Sequence, residues 1–489
     1  MLNKWKQTIS KFVCFVLTCQ LFILTVWAKP DWPSDTGIMA EAGIVMDMDS
    51  GAILYGQNIH LTYPPASITK ILTALIVLEN CNLDDTVTFS TTAVNQVEAD
   101  SGNKISVVAG DELSVEDCLY SMLLVSCNQA ANALAEHTAG SISAFVDMMN
   151  EKLAQLGCQE SHFENPSGLN GDNQYVSAYD MALIAQAAYD NETLVEISSA
   201  TTHKIAPTTQ NPDGFTIRGE HRLCVTEDPS SPYYYPEAVA GKTGYLIKAG
   251  NTLVTYAVKD NRRLISVILK GQPRQYFVDG KALLEFGFRS FQDYTVADYE
   301  SRYVTGNETI NLDKGSFQAS DLMIDPDSVI TLPNSASFED ADITLGALPE
   351  ISPDNAVALL TYSYNDRTIG TAYLLAKDGV TIDGNDSAAE AATTAFDTAN
   401  AEAPLATASN AEKPQRPHKH ISVAGVLITI LIVLLVLGVI ALISWFIYSK
   451  KKEAKALAKR RERRRQRLQR SGDEEEFERL LAEYKNKKK

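Results

Sequence analysis

Three short groups of residues in this 489-residue chain could do chemistry together: Ser67-Ile68-Thr69-Lys70, Ser126-Cys127-Asn128 and Lys242-Thr243-Gly244. A serine hydroxyl is a poor nucleophile near neutral pH and needs a base to take its proton. On a helix, positions i and i+3 share a face with Cβ atoms about 5–6 Å apart, so Lys70 can reach Ser67. A lysine serves as that base only if it gives up its own proton readily, which burial beside a second cation promotes. The run from Ile71 to Val77 is almost wholly apolar and supplies the burial; Lys242 is the candidate second cation. Pro64-Pro65 ahead of Ser67 places the hydroxyl in a first helical turn, where free backbone N–H groups can face a reacting carbonyl. The chemistry that fits is nucleophilic acyl transfer.

Each group alone has a plainer reading. Ser67 could be a helix cap with Lys70 a snorkelling side chain, Ser126 and Asn128 a cap between two helices, and Lys242-Thr243-Gly244 a turn. The weight comes from three groups in order, each in a fitting context. Ser126 and Asn128 stand at the break between two helical blocks, where polar side chains can enter a cleft. Gly244 precedes a pair of strands, where a missing side chain lets an extended substrate backbone approach.

The elements that must position these groups can be read from hydrophobic spacing. Gly43 to Tyr55 reads as a hairpin turning at Asp49-Ser50-Gly51. Ala66 to Glu79 has apolar residues at helical spacing and almost no charge, as in a buried helix. Further helices are expected over Val115 to Val125, Gln129 to His137, Ile142 to Leu156 and Tyr179 to Tyr189. Ala206 to Tyr235 reads as loop. Thr252 to Val258 and Leu264 to Lys270 are β-branched runs around a polar turn, a second hairpin. Strands at both ends of a unit with helices between them predict an α+β domain, an antiparallel sheet covered by a helical cluster, over residues 29–292. A small all-β domain is expected over 293–380, with short alternating runs at Val357 to Tyr364 and Thr368 to Leu375.

The ends read differently. Residues 1–28 have a basic head, an apolar stretch and small residues before Lys29, the pattern of a cleaved signal peptide. Residues 381–420 are rich in Ala, Thr, Asn, Asp, Glu and Pro and read as a disordered stalk. Residues 421–448 carry no charge, and roughly 20 such residues suffice to cross a bilayer. A transmembrane helix is therefore expected there, in contact with membrane lipid, and the basic residues 449–489 are expected in the cytoplasm, their last part as a short amphipathic helix. The formal charge is −18, and residues 450–489 sum to roughly +9 by the same counting, so the remainder is strongly acidic. That argues against nucleic acid as a partner and for a solvated domain outside the cell. Of seven cysteines, the five beyond the leader have no metal or redox spacing, and the histidines form no HxxxH pair, so no metal and no cofactor are expected.

With these residues in view, the chain resembles the low-molecular-mass penicillin-binding proteins of the D-alanyl-D-alanine carboxypeptidase family, which share a β-lactamase/transpeptidase-like fold. Beyond the three groups, it is similar to that family in Phe163-Glu164-Asn165-Pro166-Ser167-Gly168-Leu169 and in the YVSAYDMA run from Tyr175 to Ala182. The likeness is good over about Ile38 to Phe291 and general over Tyr294 to Gly379. It implies Ser67 as nucleophile, Lys70 as proton acceptor, and proton-shuttling and substrate-holding roles for Ser126 and Asn128. It also implies carboxylate recognition by Lys242 and Thr243 of the Lys242-Thr243-Gly244 group, and an oxyanion hole from the N–H groups of Ser67 and Tyr245. The implied substrate is the peptidoglycan pentapeptide, which loses its terminal D-alanine through an acyl-enzyme, with β-lactam antibiotics as inhibitors. Two features depart from the family: Leu246 stands where a hydroxyl residue is frequent, and a full span replaces the usual amphipathic surface helix. A class A β-lactamase would need a glutamate to activate water, but Glu164 lies inside the family-like run. A D,D-endopeptidase would use the same residues, and a non-catalytic penicillin sensor signalling through the span would acylate and stall.

Overall fold

The computed structural model describes residues 29–98, 101–349 and 351–382. Among these residues no helix is long and apolar enough to cross a membrane. The expected leader, the stalk from 383 onward, the span at 421–448 and the cytoplasmic tail lie outside the described residues.

Five antiparallel strands form the principal sheet: β1 (Ala42–Asp47), β2 (Ile53–Gln57), β3 (Ala238–Leu246), β4 (Gly250–Lys259) and β5 (Arg262–Gly271), in the order β2-β1-β5-β4-β3. Both expected hairpins are present. The β4–β5 turn is made by Asp260 and Asn261 with φ of 50° and 64°, a left-handed pair that Asn and Asp tolerate and that matches strand twist. Alternation along β5 divides its side chains between two cores: Leu264 and Ile268 on one face, Ile265 and Val267 on the other.

Six helices suffice to describe the packing: α1 (Lys70–Asn80), α2 (Val115–Leu124), α3 (Asn128–Ala139), α4 (Ile142–Gln155), α5 (Ala178–Tyr189) and α6 (Gln275–Ser290). The first five lie within a few residues of the helices expected from spacing; α6 was not anticipated. It covers one face of the sheet through Phe277, Leu283, Leu284 and Phe286, while the helical cluster covers the other. The result is three layers, helix, sheet and helices. Serine caps start three of the cluster helices: Ser114, Ser141 and Ser177 accept from the N–H groups of Asp117, Ala144 and Asp180 at 3.0, 3.1 and 3.0 Å. Helix α1 is buried from Lys70 through Val77, as its all-round apolar sequence requires.

The stretch read as loop before β3 holds a strand, Phe215–Arg218, paired with Thr202–Ile205 just ahead of it, and one helical turn at Arg222–Val225. After α6 the chain builds a third core around Phe317, Ile330, Leu332, Phe338, Leu360 and Tyr362. Its four-stranded sheet has the order Leu322–Ile324, Arg367–Ala376, Ala356–Tyr364, Asp342–Gly346. Phe291–Thr295 pairs separately with Val329–Pro333, and a helical turn, Val296–Tyr299, and two 3₁₀ turns, Ala319–Asp321 and Phe338–Asp340, interrupt the β character.

The principal sheet and this later core meet at a polar knot. Arg262 donates to Asp47 at 3.1 Å and to Asp293 at 2.7 Å, and its Nη1 donates to the Phe291 carbonyl at 2.9 Å. Thr331 donates to Asp293 at 2.8 Å, and its hydroxyl lies 2.7 Å from that of Ser50. Asp47 is fully buried; burial first, then the nearby Asp293, raises its pKa to about 7 despite the N–H of Ser50 and the guanidinium.

Candidate active site

Ser67 does not stand in the first turn of an α-helix. It lies in a 3₁₀ turn, Ala66–Thr69, that feeds directly into α1. Ala66 has φ of 53°, an uncommon conformation for a residue with a side chain, of the kind that costs about 1–3 kcal/mol. The turn that presents the hydroxyl is thus held by its surroundings. Thr69 Oγ1 donates to the Ala66 carbonyl at 2.9 Å, and Thr252 Oγ1 of β4 donates to the Pro65 carbonyl at 2.9 Å. N–H groups at the start of such a turn have no partner within it, which leaves that of Ser67 available.

Lys70 is wholly buried, and its Nζ sits among three oxygens. Ser67 Oγ is 3.1 Å away, Asn128 Oδ1 2.7 Å, and the Ser167 carbonyl is a third, close partner. Burial first, and then the charge of Lys242, holds the Lys70 pKa well below the usual lysine range, against a smaller opposing effect of Cys127. An unprotonated amine has two N–H bonds and one lone pair. The carboxamide oxygen and the backbone carbonyl can only accept, so they take the two N–H bonds and the lone pair is left facing the Ser67 hydroxyl. The site can therefore hold a neutral lysine in the orientation of a base.

The second group joins α2 to α3. Ser126 is half-buried with φ of 62°, a second strained residue at the site. The helix cap is neither serine nor asparagine but Cys127, whose sulfur accepts from the Ala130 N–H at 3.4 Å. Burial pushes the Cys127 thiol up to about 11, which keeps it protonated and a poor nucleophile. Asn128 opens α3 and is free to reach Lys70.

The third group does not precede the strands; it lies within β3, the edge strand. Spacing missed this because Ala238-Val239-Ala240-Gly241 has small and glycine residues in place of a β-branched run. Gly244 shows how close the strand runs to the nucleophile. A Cβ there would lie 2.8 Å from Ser67 N and 3.1 Å from Ala66 Cβ and would collide with Thr252 Oγ1. Lys242 is buried, donates to the Thr243 carbonyl at 2.9 Å, and has its pKa lowered to about 8, by burial first, with Glu220 opposing and Lys104 adding to the shift. Thr243 is half-buried, and Tyr245 is 63% exposed.

The structure thus brings Ser67, Lys70 and Asn128 into direct contact, sets Gly244 against the Ser67 backbone and places Lys242 within electrostatic reach of Lys70. It also supplies partners that motif reasoning passed over. Asn165 Oδ1 accepts from Ser167 Oγ at 3.0 Å and from the N–H groups of Gly168 and Leu169 at 2.8 and 3.1 Å, which shapes the loop that offers the Ser167 carbonyl to Lys70. Thr73 Oγ1 pins the same loop through the Pro166 carbonyl at 2.7 Å. Gly168, at φ of 80°, lies so close to Ala66 that a Cβ would sit 2.5 Å from its carbonyl carbon. The signal for this loop was the Phe163 to Leu169 run, to which sequence reasoning assigned no role.

Residues 29–272 match the protein family described as D-alanyl-D-alanine carboxypeptidase. The chain is 34% identical over 265 residues to D-alanyl-D-alanine carboxypeptidase DacB2 of Mycobacterium tuberculosis, covering 53% of this chain and 84% of the relative. It is 30% identical over 354 residues to D-alanyl-D-alanine carboxypeptidase DacA of Haemophilus influenzae, covering 69% of this chain and 84% of the relative. Among solved structures, penicillin binding protein 6B from Escherichia coli superposes with a TM-score of 0.53 at 23% identity, over 72% of this chain and 99% of that one. This last likeness concerns the fold.

Proposed function

Because the chain belongs to the D-alanyl-D-alanine carboxypeptidase family, we propose that Ser67 is the nucleophile of a serine D-Ala-D-Ala carboxypeptidase and Lys70 the base that activates it. The observation that carries this division of roles is the trio of oxygens around the Lys70 amine, which directs its lone pair at the Ser67 hydroxyl. As Ser67 attacks the amide between the two D-alanines, its proton passes to Lys70. The resulting ammonium then finds all three N–H bonds satisfied by the same three oxygens, so the proton transfer leaves no buried donor unpaired. The oxyanion is met by the N–H groups of Ser67 and, on β3, of Tyr245. Ser126, half-buried at the turn that leads into Asn128, relays the proton to the departing D-alanine, and water then hydrolyses the ester. Lys242 and Thr243 hold the substrate's C-terminal carboxylate, with Asn128 on the peptide chain. The substrate class is the peptidoglycan stem peptide, and β-lactams acylate the same serine.

The full chain in detergent, given labelled penicillin, should carry the label on Ser67 and release D-alanine repeatedly from a diacyl-tripeptide ending in D-Ala-D-Ala; Ser67→Ala should do neither. Stoichiometric acylation without turnover would instead favour a penicillin sensor, and label elsewhere would overturn the assignment.

We also propose that the enzyme is tethered, with residues 421–448 crossing the membrane, the folded domains outside the cell and the basic tail inside. The support is the uncharged run and its basic flank. Resistance of the protein to alkaline carbonate extraction, lost on deletion of 421–489, is the expected result; release of the intact chain would refute it.

A further inference from the structure

One ion pair lies where the second and third catalytic groups converge. Lys104 Nζ is 3.2 Å from Glu220 Oε1, although the two residues are 116 positions apart. Each is moored to a different part of the site. On the Lys104 side, the Gly102 carbonyl accepts from Gln129 Nε2 at 3.2 Å, next to Asn128, and Asn103 folds the loop by donating to the Val107 carbonyl at 2.7 Å. On the Glu220 side, the Glu220 N–H donates to the Leu124 carbonyl at 3.2 Å, two residues before Ser126. The next residue, His221, lies under β3 beside Gly241: its Nε2 is 3.1 Å from the Val254 carbonyl, and a Cβ on Gly241 would come within 2.6 Å of it. The pair therefore spans from the Ser126–Asn128 turn to the strand that carries Lys242. The Lys104 charge is felt at both Cys127 and Lys242, and that of Glu220 at Lys242.

Both side chains remain accessible, 46% for Lys104 and 43% for Glu220. An exposed pair of this kind is weak and exchangeable, unlike a buried one. A substrate that presents a C-terminal carboxylate to Lys242 brings to this place the same chemical group that Glu220 already offers to Lys104.

We propose that Lys104 is a second cation for the C-terminal carboxylate of the substrate and that Glu220 is the resident anion with which that carboxylate competes. The two residues are specificity determinants with opposite effects: Lys104 draws carboxylate-ended peptides and penicillins to the cleft, and Glu220 opposes them until it is displaced. The inference rests on the carboxypeptidase reading above, in which Lys242 receives that carboxylate.

The test compares Lys104→Met and Glu220→Gln in the full chain, by steady-state release of D-alanine from the diacyl-tripeptide. Labelled penicillin titrates the folded sites. Lys104→Met should raise KM about two- to fivefold and Glu220→Gln should lower it by a similar factor, with kcat near wild type in both. A merely structural cross-brace would be broken equally by either change, so KM shifts of the same sign overturn the proposal, as does a wild-type KM in either variant. The rate of penicillin acylation, which also requires a carboxylate, should show the same opposed pair of shifts. If the wild type acylates but releases no D-alanine, the carboxypeptidase reading fails while the acylation rates still decide this one.

Discussion

Replacing Gly244 by alanine tests how tightly the edge strand and the nucleophile are fitted. Gly244 is not among the residues at positive φ, so alanine suits its backbone and the cost is one of space. The new Cβ would sit 2.8 Å from Ser67 N, whereas carbon makes its best contacts with non-bonded heavy atoms at about 3.5–4.0 Å. Since the obstacle is backbone, β3 and the Ser67 turn must separate by roughly 0.5–1 Å. A misplacement of about 1 Å can cost roughly 10²-fold in rate, or about 2.7 kcal/mol of transition-state stabilisation. Overpacking should cost about 1–3 kcal/mol of stability as well. The assay is the second-order rate constant of acylation by labelled penicillin, with urea unfolding of the same preparation. Adding Thr252→Ala removes the collision with the threonine hydroxyl but also its hydrogen bond to the Pro65 carbonyl, and it leaves the clash with Ser67 N, so it should not restore the rate. Gly241→Ala, which presses on the Val254 carbonyl of β4 and on His221 but not on Ser67, serves as a control for general strand damage. A folded Gly244→Ala protein that acylates within about threefold of wild type would refute the close fit.

Lys242→Gln should move the acid limb of the acylation pH profile upward, whatever it does to the rate. The positive charge of Lys242 helps to hold the Lys70 pKa down, so without it the amine keeps its proton to higher pH; an unmoved or lowered limb would contradict this. Arg262→Met should destabilise the protein by about 3–5 kcal/mol, because it strands the buried Asp47 and its neighbour Asp293 without their shared cation. The Asp47 carboxyl, whose pKa is raised in the folded state to about 7, keeps its proton below that value, and folding stability falls as pH rises from the unfolded carboxylate range towards it. Urea unfolding at pH 5 and pH 8 should therefore show a greater loss at pH 8; equal losses would count against the knot.

Where side chains repeat with a helical or alternating period, the elements were legible in advance. The five cluster helices, the two hairpins of the principal sheet and the long hairpin after α6 follow the spacing of their apolar residues, and the need to bury these is written into residue order. The β3 strand and helix α6 were not legible. The first is poor in β-branched residues because glycine must let it pass close to Ser67 and His221, and sheet pairing with β4 overrides weak local preference. The second has charged and polar residues interleaved with its apolar ones, and only the sheet it covers shows which face is buried.

The same division holds for the site. Residue types and short-range spacing singled out Ser67, Lys70, Ser126, Asn128 and Lys242 as candidates, and of these the structure sets Ser67, Lys70 and Asn128 in contact, a serine and a lysine three positions apart meeting across a 3₁₀ turn as they would on a helix. Local order cannot say what surrounds an amine once it is buried. That the Lys70 amine is held against Ser67 depends on a carbonyl 97 positions away, that the edge strand grazes the Ser67 backbone depends on a glycine further still, and the Lys104–Glu220 pair has no motif at all. Such contacts join segments that are distant in sequence, and only the packing of sheet against helices brings them within reach.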